Sequence, residues 1–322
     1  MPAIEVRRLV KHFGAVRAVD EVSFEVPEAS VLGLLGPNGA GKTTVIRMLT
    51  TLLRPDSGQV RILGLDVVQQ AAQVRRLIGL AGQAAAVDAN LTGRENLRLM
   101  GRLGQLRRAD FRARTEDLLS AFDLVDAASR PARTYSGGMR RRLDVAAALV
   151  SRPRVLFLDE PTTGLDLASR TELWALIHSL VEGGTTVVLT TQYLEEADRL
   201  ADRIAIIDDG RLIANDTPAG LKAALGGTVI DLDWTVDEHA TQAAELLGAC
   251  LGLQARARGS TVTVTARDGS ATVIAVLRRL DEHRLAPTGL RVREPSLDDA
   301  FLHLTGAGSS AAGTSAGLQV PA

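Results

Sequence analysis

The 322-residue sequence has a single cysteine, Cys250, which excludes an internal disulfide and fits a reducing compartment. Cys250 sits in an apolar helical pattern with no histidine close by in sequence, and reads as an inert packing residue. Charge of one sign is also lacking. Thirty-seven basic residues against thirty-eight acidic ones leave a formal net charge of -1, so no global field draws the chain to nucleic acid or to an anionic membrane surface. No apolar run approaches the roughly 18 to 20 residues that span a bilayer, and Met1-Pro2-Ala3-Ile4-Glu5 has neither the basic start nor the apolar stretch of a signal peptide. A cytosolic protein is expected. His239, His283 and His303 are far apart and lack metal-ligand spacing. Neither an internal repeat nor a sustained heptad is present. What remains, with 46% hydrophobic residues, is ordinary material for a soluble chain of two domains.

The informative stretch is Gly36-Pro37-Asn38-Gly39-Ala40-Gly41-Lys42-Thr43, a phosphate-loop pattern. The apolar run Val31 to Leu35 before it reads as a buried strand, and the spacing from Thr44 to Leu53 suits a helix beginning near Lys42. Glycines at 36, 39 and 41 permit a tight turn that points N–H groups inward, next to the positive end of the helix dipole. Such a nest holds phosphates. Lys42 is placed to reach the terminal phosphates of a nucleoside triphosphate, with the Thr43 hydroxyl on Mg2+ and Thr44 completing the phosphate-binding set.

Around this loop the pattern is α/β. Ile4 to Val10 and Ala18 to Val26 alternate as strands of an antiparallel edge, and Gln59 to Leu63 adds another. A basic helix over Gln69 to Leu77 leads into a strand from Ile78 to Gln83. From Leu91 to about Pro153 the pattern becomes helical, with Leu97, Leu99, Leu103, Leu118, Leu119, Phe122 and Leu124 on apolar faces. Continuous apolar strands return at Val155 to Leu158 and Thr186 to Thr190, and the Asp209-Gly210 turn closes a hairpin. The expected organisation is a nucleotide-binding domain over residues 1–225 with a helical subdomain at about 84–153, a small α+β domain over 226–305, and a disordered Gly/Ala/Ser tail over 306–322. In the second domain, strands are expected at Thr228 to Val236, Ser260 to Ala266 and Leu290 to Arg293. Helices are expected over Asp237 to Gly248, Ala271 to His283, and Ser296 to Leu304, the last N-capped by Ser296.

Hydrolysis needs more than a phosphate cradle. Val155-Leu156-Phe157-Leu158-Asp159-Glu160 is an apolar strand ending in two carboxylates, whose desolvation needs a cation or ligand to offset it. Asp159 is placed for the Mg2+ shell and Glu160 to orient or deprotonate water as general base.

Between these motifs lies Tyr135-Ser136-Gly137-Gly138-Met139, which resembles the signature motif of ATP-binding cassette proteins, usually with Leu first and Gln last. Ser136, Gly137 and Gly138 before a helix form a second nest suited to a γ-phosphate. The resemblance covers residues 4 to about 225 and implies a P-loop NTPase cassette binding ATP and Mg2+. It implies two copies paired head to tail, each signature closing over the other's ATP, and a separate membrane permease, with the chain peripheral on the cytoplasmic face. It further implies that Gln83 touches Mg2+ and the membrane partner, that Gly164-Leu165-Asp166 lets the two cassettes sense each other, and that Phe13 stacks on adenine; packing in the core is the rival role for Phe13. Gln192 stands where the family usually has a histidine contacting the γ-phosphate. An amide can donate to phosphate but cannot become a cation near neutral pH, so slower hydrolysis is expected. Gln192 and the small C-terminal domain resemble the subfamily of daunorubicin and doxorubicin resistance exporters, implying export of a small hydrophobic compound. A soluble cassette ATPase acting on ribosomes or DNA, and a regulatory nucleotide-binding module, are the competing assignments.

Overall fold

The structure, a computed structural model, describes residues 2–82, 87–266 and 269–309. Residues 83–86 lie outside that description, and with them Gln83. The chain divides between Thr217 and Pro218 into two compact units.

The first unit is built on two sheets. Strands Pro2–Phe13 and Val16–Pro27 form a long hairpin that Ser57–Ile62 and Leu65–Asp66 extend into a four-stranded antiparallel sheet. Its alternation buries Ile4, Val6, Val22, Phe24 and Val26 on one side, and repeated register shifts twist the hairpin. The six-stranded sheet runs Arg211–Asp216, Arg203–Asp208, Val31–Leu35, Thr186–Thr190, Val155–Asp159, Ile78–Ala81. All its neighbours are parallel except the first pair, an antiparallel hairpin. Its three central strands are buried at every position, the reason they read as unbroken apolar runs. The phosphate-loop strand Val31–Leu35 lies among them, so its C-terminal end opens at the sheet's carboxyl edge.

The helix Lys42–Leu49 stops four residues before the expected Leu53. Thr50 turns its hydroxyl back onto the Ile46 carbonyl at 2.8 Å and Thr51 adopts a left-handed φ of 65°, which ends the helix. The basic helix expected over Gln69 to Leu77 is confined to Ala71–Val74. The helical insertion comprises Gly93–Leu103, Arg108–Ala121, a 3-10 turn at Ala132–Thr134 and Gly137–Ala148. Thr92 and Glu95 form a reciprocal capping box at its start. Leu97, Leu118, Leu119, Phe122 and Leu124 are buried as expected, whereas Leu103 and Leu99 are exposed. Gly93–Leu103 packs through Leu97 together with small residues: a Cβ on Gly101 would lie 2.5 Å from Phe111 Cβ, so only glycine admits the neighbouring helix so closely.

The second unit opens with the short helix Pro218–Ala223 and continues as strand Thr228–Asp233, helix Asp237–Leu251, strands Gln254–Arg258 and Thr261–Ala266, helix Gly269–Glu282 and strand Gly289–Arg293. This β-α-β-β-α-β order, with its antiparallel sheet ordered second, third, first, fourth strand, is the split βαβ arrangement of ferredoxin-like domains. One sheet face and the two long helices bury Ile230, Leu232, Trp234, Ala243, Leu247, Val262, Val264, Val276 and Leu280, whereas Cys250, expected to pack inside, is exposed on helix Asp237–Leu251. The other face is polar. There Arg293 joins Asp231 at 2.7 Å to Asp299 at 2.6 Å, and Asp299 accepts the Ser296 amide and hydroxyl at the start of helix Leu297–Ser309. That helix runs through 306–309, a correction to the expected start of a disordered tail; 310–322 lie outside the described residues.

Candidate functional site

The phosphate loop is shaped by what presses on it. A Cβ on Gly36 would lie 2.1 Å from the Ile207 carbonyl oxygen, and one on Gly41, whose φ is 106°, would lie 2.4 Å from that of Ala18. Backbone from both sheets therefore abuts the loop at these two glycines. Pro37, Asn38 and Gly39 form an exposed apex between buried Gly36 and Ala40. Gly41 occupies the N-cap of Lys42–Leu49 without a side-chain cap, and the first turn has no acidic residue. The orphan N–H groups of that turn are thus left for an external anion. Thr43 and Thr44 are half-buried on the same turn.

Lys42 is 6% exposed, and its ammonium donates to the Gly36 carbonyl at 2.8 Å and to that of Pro37 at 2.9 Å. Burial pushes its pKa down, while the charges of Glu160 and Asp159 pull it up. The lysine therefore lies in the field of both carboxylates at the end of Val155–Asp159. Asp159 is buried and accepts the Thr190 hydroxyl. The same hydroxyl accepts the Glu160 amide at 3.0 Å, and the Thr190 carbonyl shares that amide at 3.1 Å. Glu160 has a left-handed φ of 50°, which turns the chain sharply where the strand ends; its carboxylate accepts the Thr163 hydroxyl at 3.2 Å.

Arg141, unremarkable in the sequence, holds this corner together. Its guanidinium donates to the carbonyls of Gly82 at 2.7 Å, Pro161 at 2.8 Å and Asp159 at 3.0 Å, and to the Asp144 carboxylate at 3.1 Å. One side chain on the signature helix thereby fixes the backbone of the Asp159 strand end and of the residue before Gln83. The only local signal is Asp144 three positions on, which does not separate Arg141 from its neighbours Arg140 and Arg142.

The signature segment is ordered locally. Ser136 caps Gly137–Ala148, accepting the Met139 amide at 3.2 Å, and Ser136 and Gly137 are exposed. Tyr135 is buried, with its hydroxyl on the Ala127 carbonyl at 2.7 Å. A cleft of about 490 Å³ brings Gly137, Arg140, Glu160 and Gly164 together; Lys42 does not line it. Asp166 caps the next helix, Leu167–Glu182, accepting the Ser169 amide at 2.8 Å, and that bond with the Ser169 hydroxyl holds its carboxyl below the usual range. Phe13 is half exposed at the tip of the first hairpin, which removes the core as its place, and the Lys11 ammonium lies 5.8 Å from its ring centroid. Gln192 is exposed, next to buried Thr191.

Residues 19–163 match the family model described as ABC transporter. Over 94% of this chain and 96% of its own length, the daunorubicin resistance ATP-binding protein DrrA3 of Streptomyces coeruleorubidus is 50% identical. The chain belongs to the ATP-binding cassette family. It is an ATPase subunit of that family, similar to the daunorubicin and doxorubicin resistance ATP-binding proteins. The Nod factor export ATP-binding protein I of Ralstonia nicotianae is 40% identical over 95% of this chain and 94% of its own length. These likenesses run through both units of the cassette protein. Among solved structures, an ATP-binding subunit of an ABC transporter superposes with a TM-score of 0.64 at 27% identity, over 69% of this chain and 92% of that one. A dimeric cassette in a post-hydrolysis state with ADP and Pi has the same fold, with a TM-score of 0.61 at 24% identity.

Proposed function

We propose that this ATPase subunit powers export of a small hydrophobic compound through a separately encoded membrane permease, as a nucleotide-sandwiched homodimer peripheral on the cytoplasmic face of the membrane. The observation that carries the reading is the buried Lys42 ammonium in the field of Asp159 and Glu160, beside a helix start with no side-chain cap. That arrangement supports phosphate-binding and water-activating roles for these groups within one protomer. Among the described residues no helix is long and apolar enough to cross a membrane, in keeping with a permease on another chain.

In this reading the N–H groups from Gly36 to Thr44 cradle the phosphates of ATP, Lys42 exchanges its carbonyl partners for the β- and γ-phosphates, and Phe13 supports the adenine. Thr43, Gln83 and Asp159 are the groups that would hold Mg2+, which neutralises charge on the phosphates. Asp159 is a buried carboxylate whose Oδ1 accepts the Thr190 hydroxyl, and a carboxylate oxygen is the hard ligand such a cation takes. Glu160 takes a proton from water as its oxygen bonds the γ-phosphorus; the bond to the bridging oxygen breaks and ADP leaves. Ser136, Gly137 and Gly138 of a second copy seal the γ-phosphate, Asp166 senses that copy, and Gln192 donates to the γ-phosphate.

Phosphate release and light scattering on the purified chain test this. The Glu160→Gln protein should lose at least about 100-fold in turnover and dimerise with Mg-ATP. A Glu160→Gln protein that stays monomeric in saturating Mg-ATP, even beside its permease, removes the sandwich. Co-expression with its permease should lower cellular accumulation of a hydrophobic dye, and Glu160→Gln should abolish that effect.

A further inference from the structure

Two loops that carry Asp166 and Gln192 are fastened to each other inside one protomer. Arg170, in the first turn of Leu167–Glu182, donates Nε to the Leu165 carbonyl at 3.1 Å. The same guanidinium lies 4.4 Å from the ring centroid of Tyr193. Leu165 immediately precedes Asp166 and Tyr193 immediately follows Gln192, so one side chain grips both loops beside the residues of interest. A second fastening lies deeper. Glu196, with no exposed surface, accepts the Thr162 hydroxyl at 3.1 Å and the Trp174 indole N–H at 3.3 Å, and also the Thr191 hydroxyl. Thr162 belongs to the first loop and Thr191 to the second. The Tyr193 amide in turn donates to the Thr191 hydroxyl at 2.9 Å, which ties the residues flanking Gln192 to each other.

We propose that Arg170 is a positioning residue, linking the Leu165 carbonyl to the Tyr193 ring so that movement of Asp166 against a second copy is delivered to Gln192. The inference rests on the roles given above to Asp166 and Gln192. Its chemistry is specific to the pair. The contact uses the ring face of Tyr193 rather than its hydroxyl, so phenylalanine preserves it and leucine does not. Arginine supplies both a flat cation for stacking and a donor for the carbonyl, a combination that lysine lacks.

The test is steady-state phosphate release by the purified full chain as a function of ATP concentration, with binding of a fluorescent ATP analogue measured in parallel. Arg170→Ala and Tyr193→Leu should each lower kcat about five-fold with KM and analogue affinity unchanged, and should flatten any sigmoidal dependence on ATP. Tyr193→Phe should restore wild-type kcat. The Arg170→Ala/Tyr193→Leu protein should be no slower than the slower single variant, because both remove one link. Additive losses, a rise in KM at constant kcat, or a Tyr193→Phe protein as slow as Tyr193→Leu would overturn the proposal. Gln192→Ala separates its failure from that of the underlying reading. A slowed Gln192→Ala beside unaffected Arg170→Ala and Tyr193→Leu overturns the link alone, whereas an unaffected Gln192→Ala removes the role of Gln192 and the link with it.

Discussion

Thr190 donates its hydroxyl to Asp159 and accepts with the same oxygen the amide of Glu160, so one buried side chain on the neighbouring strand holds the Asp159 carboxylate and the Glu160 backbone. Thr190→Val keeps the shape but leaves a buried carboxylate oxygen without its donor. Turnover should fall about ten-fold and more Mg2+ should be needed for half-maximal activity, as read by Mg2+ titration of phosphate release. An unchanged Mg2+ requirement would show that Thr190 does not orient Asp159.

The two loop glycines Gly41 and Gly39 should separate under substitution. Gly41→Ala combines a φ of 106° with a Cβ 2.4 Å from a carbonyl oxygen, whereas Gly39→Ala faces strain at φ 85° but open space. Backbone cannot yield as a side-chain tip does, so Gly41→Ala should destabilise by about 2 kcal/mol or more and abolish nucleotide binding. Gly39→Ala should cost about 1 kcal/mol. Urea unfolding with nucleotide titration distinguishes them.

Glu196 gives a pH signature. Burial raises its pKa from the ordinary 4.5, opposed by the bonds from Thr191, Trp174 and Thr162 and by the charge of Arg170. Because the folded state holds its proton more tightly, the contribution is fully present below about pH 4.5 and is lost as pH rises through the raised value. The stability of wild type relative to Glu196→Gln should therefore fall as pH climbs from about 4.5, by at most ~1.4 kcal/mol per pH unit. The altered hydrogen bonding of the amide shifts this difference by a constant and leaves its slope. Paired urea titrations across pH 4.5 to 8 measure it.

In the second unit, Arg293→Ala leaves Asp231 and Asp299 facing each other's surroundings without their shared cation. With both carboxylates largely buried, a loss of about 2 kcal/mol is expected. Loosening of helix Leu297–Ser309 should accompany it, visible as faster amide exchange near Ala300.

What the sequence made legible was local or periodic. Val31–Leu35, Val155–Asp159 and Thr186–Thr190 announce themselves because strands buried on both faces must be apolar throughout. The phosphate loop is a contiguous motif. Arg141 was hidden because its partners, the carbonyls of Gly82, Asp159 and Pro161, are backbone groups from distant segments that leave no trace in side-chain identity. Gln254–Arg258 escaped because Gln-Ala-Arg-Ala-Arg has no β-branched or large apolar residue; its pairing with Thr261–Ala266 makes it a strand. Leu99 and Leu103 misled because Gly93, Asn96, Leu97 and Gly101 form the buried face of their helix, which leaves those two leucines exposed.

The two tryptophans are divided one to each unit. Trp174 donates to Glu196 in the first and Trp234 to the Leu285 carbonyl at 3.1 Å in the second, both nearly enclosed. Replacing either with phenylalanine leaves an intrinsic fluorophore whose emission follows the melting of one unit alone. The cooperativity of the whole chain can then be read by light, without any label attached.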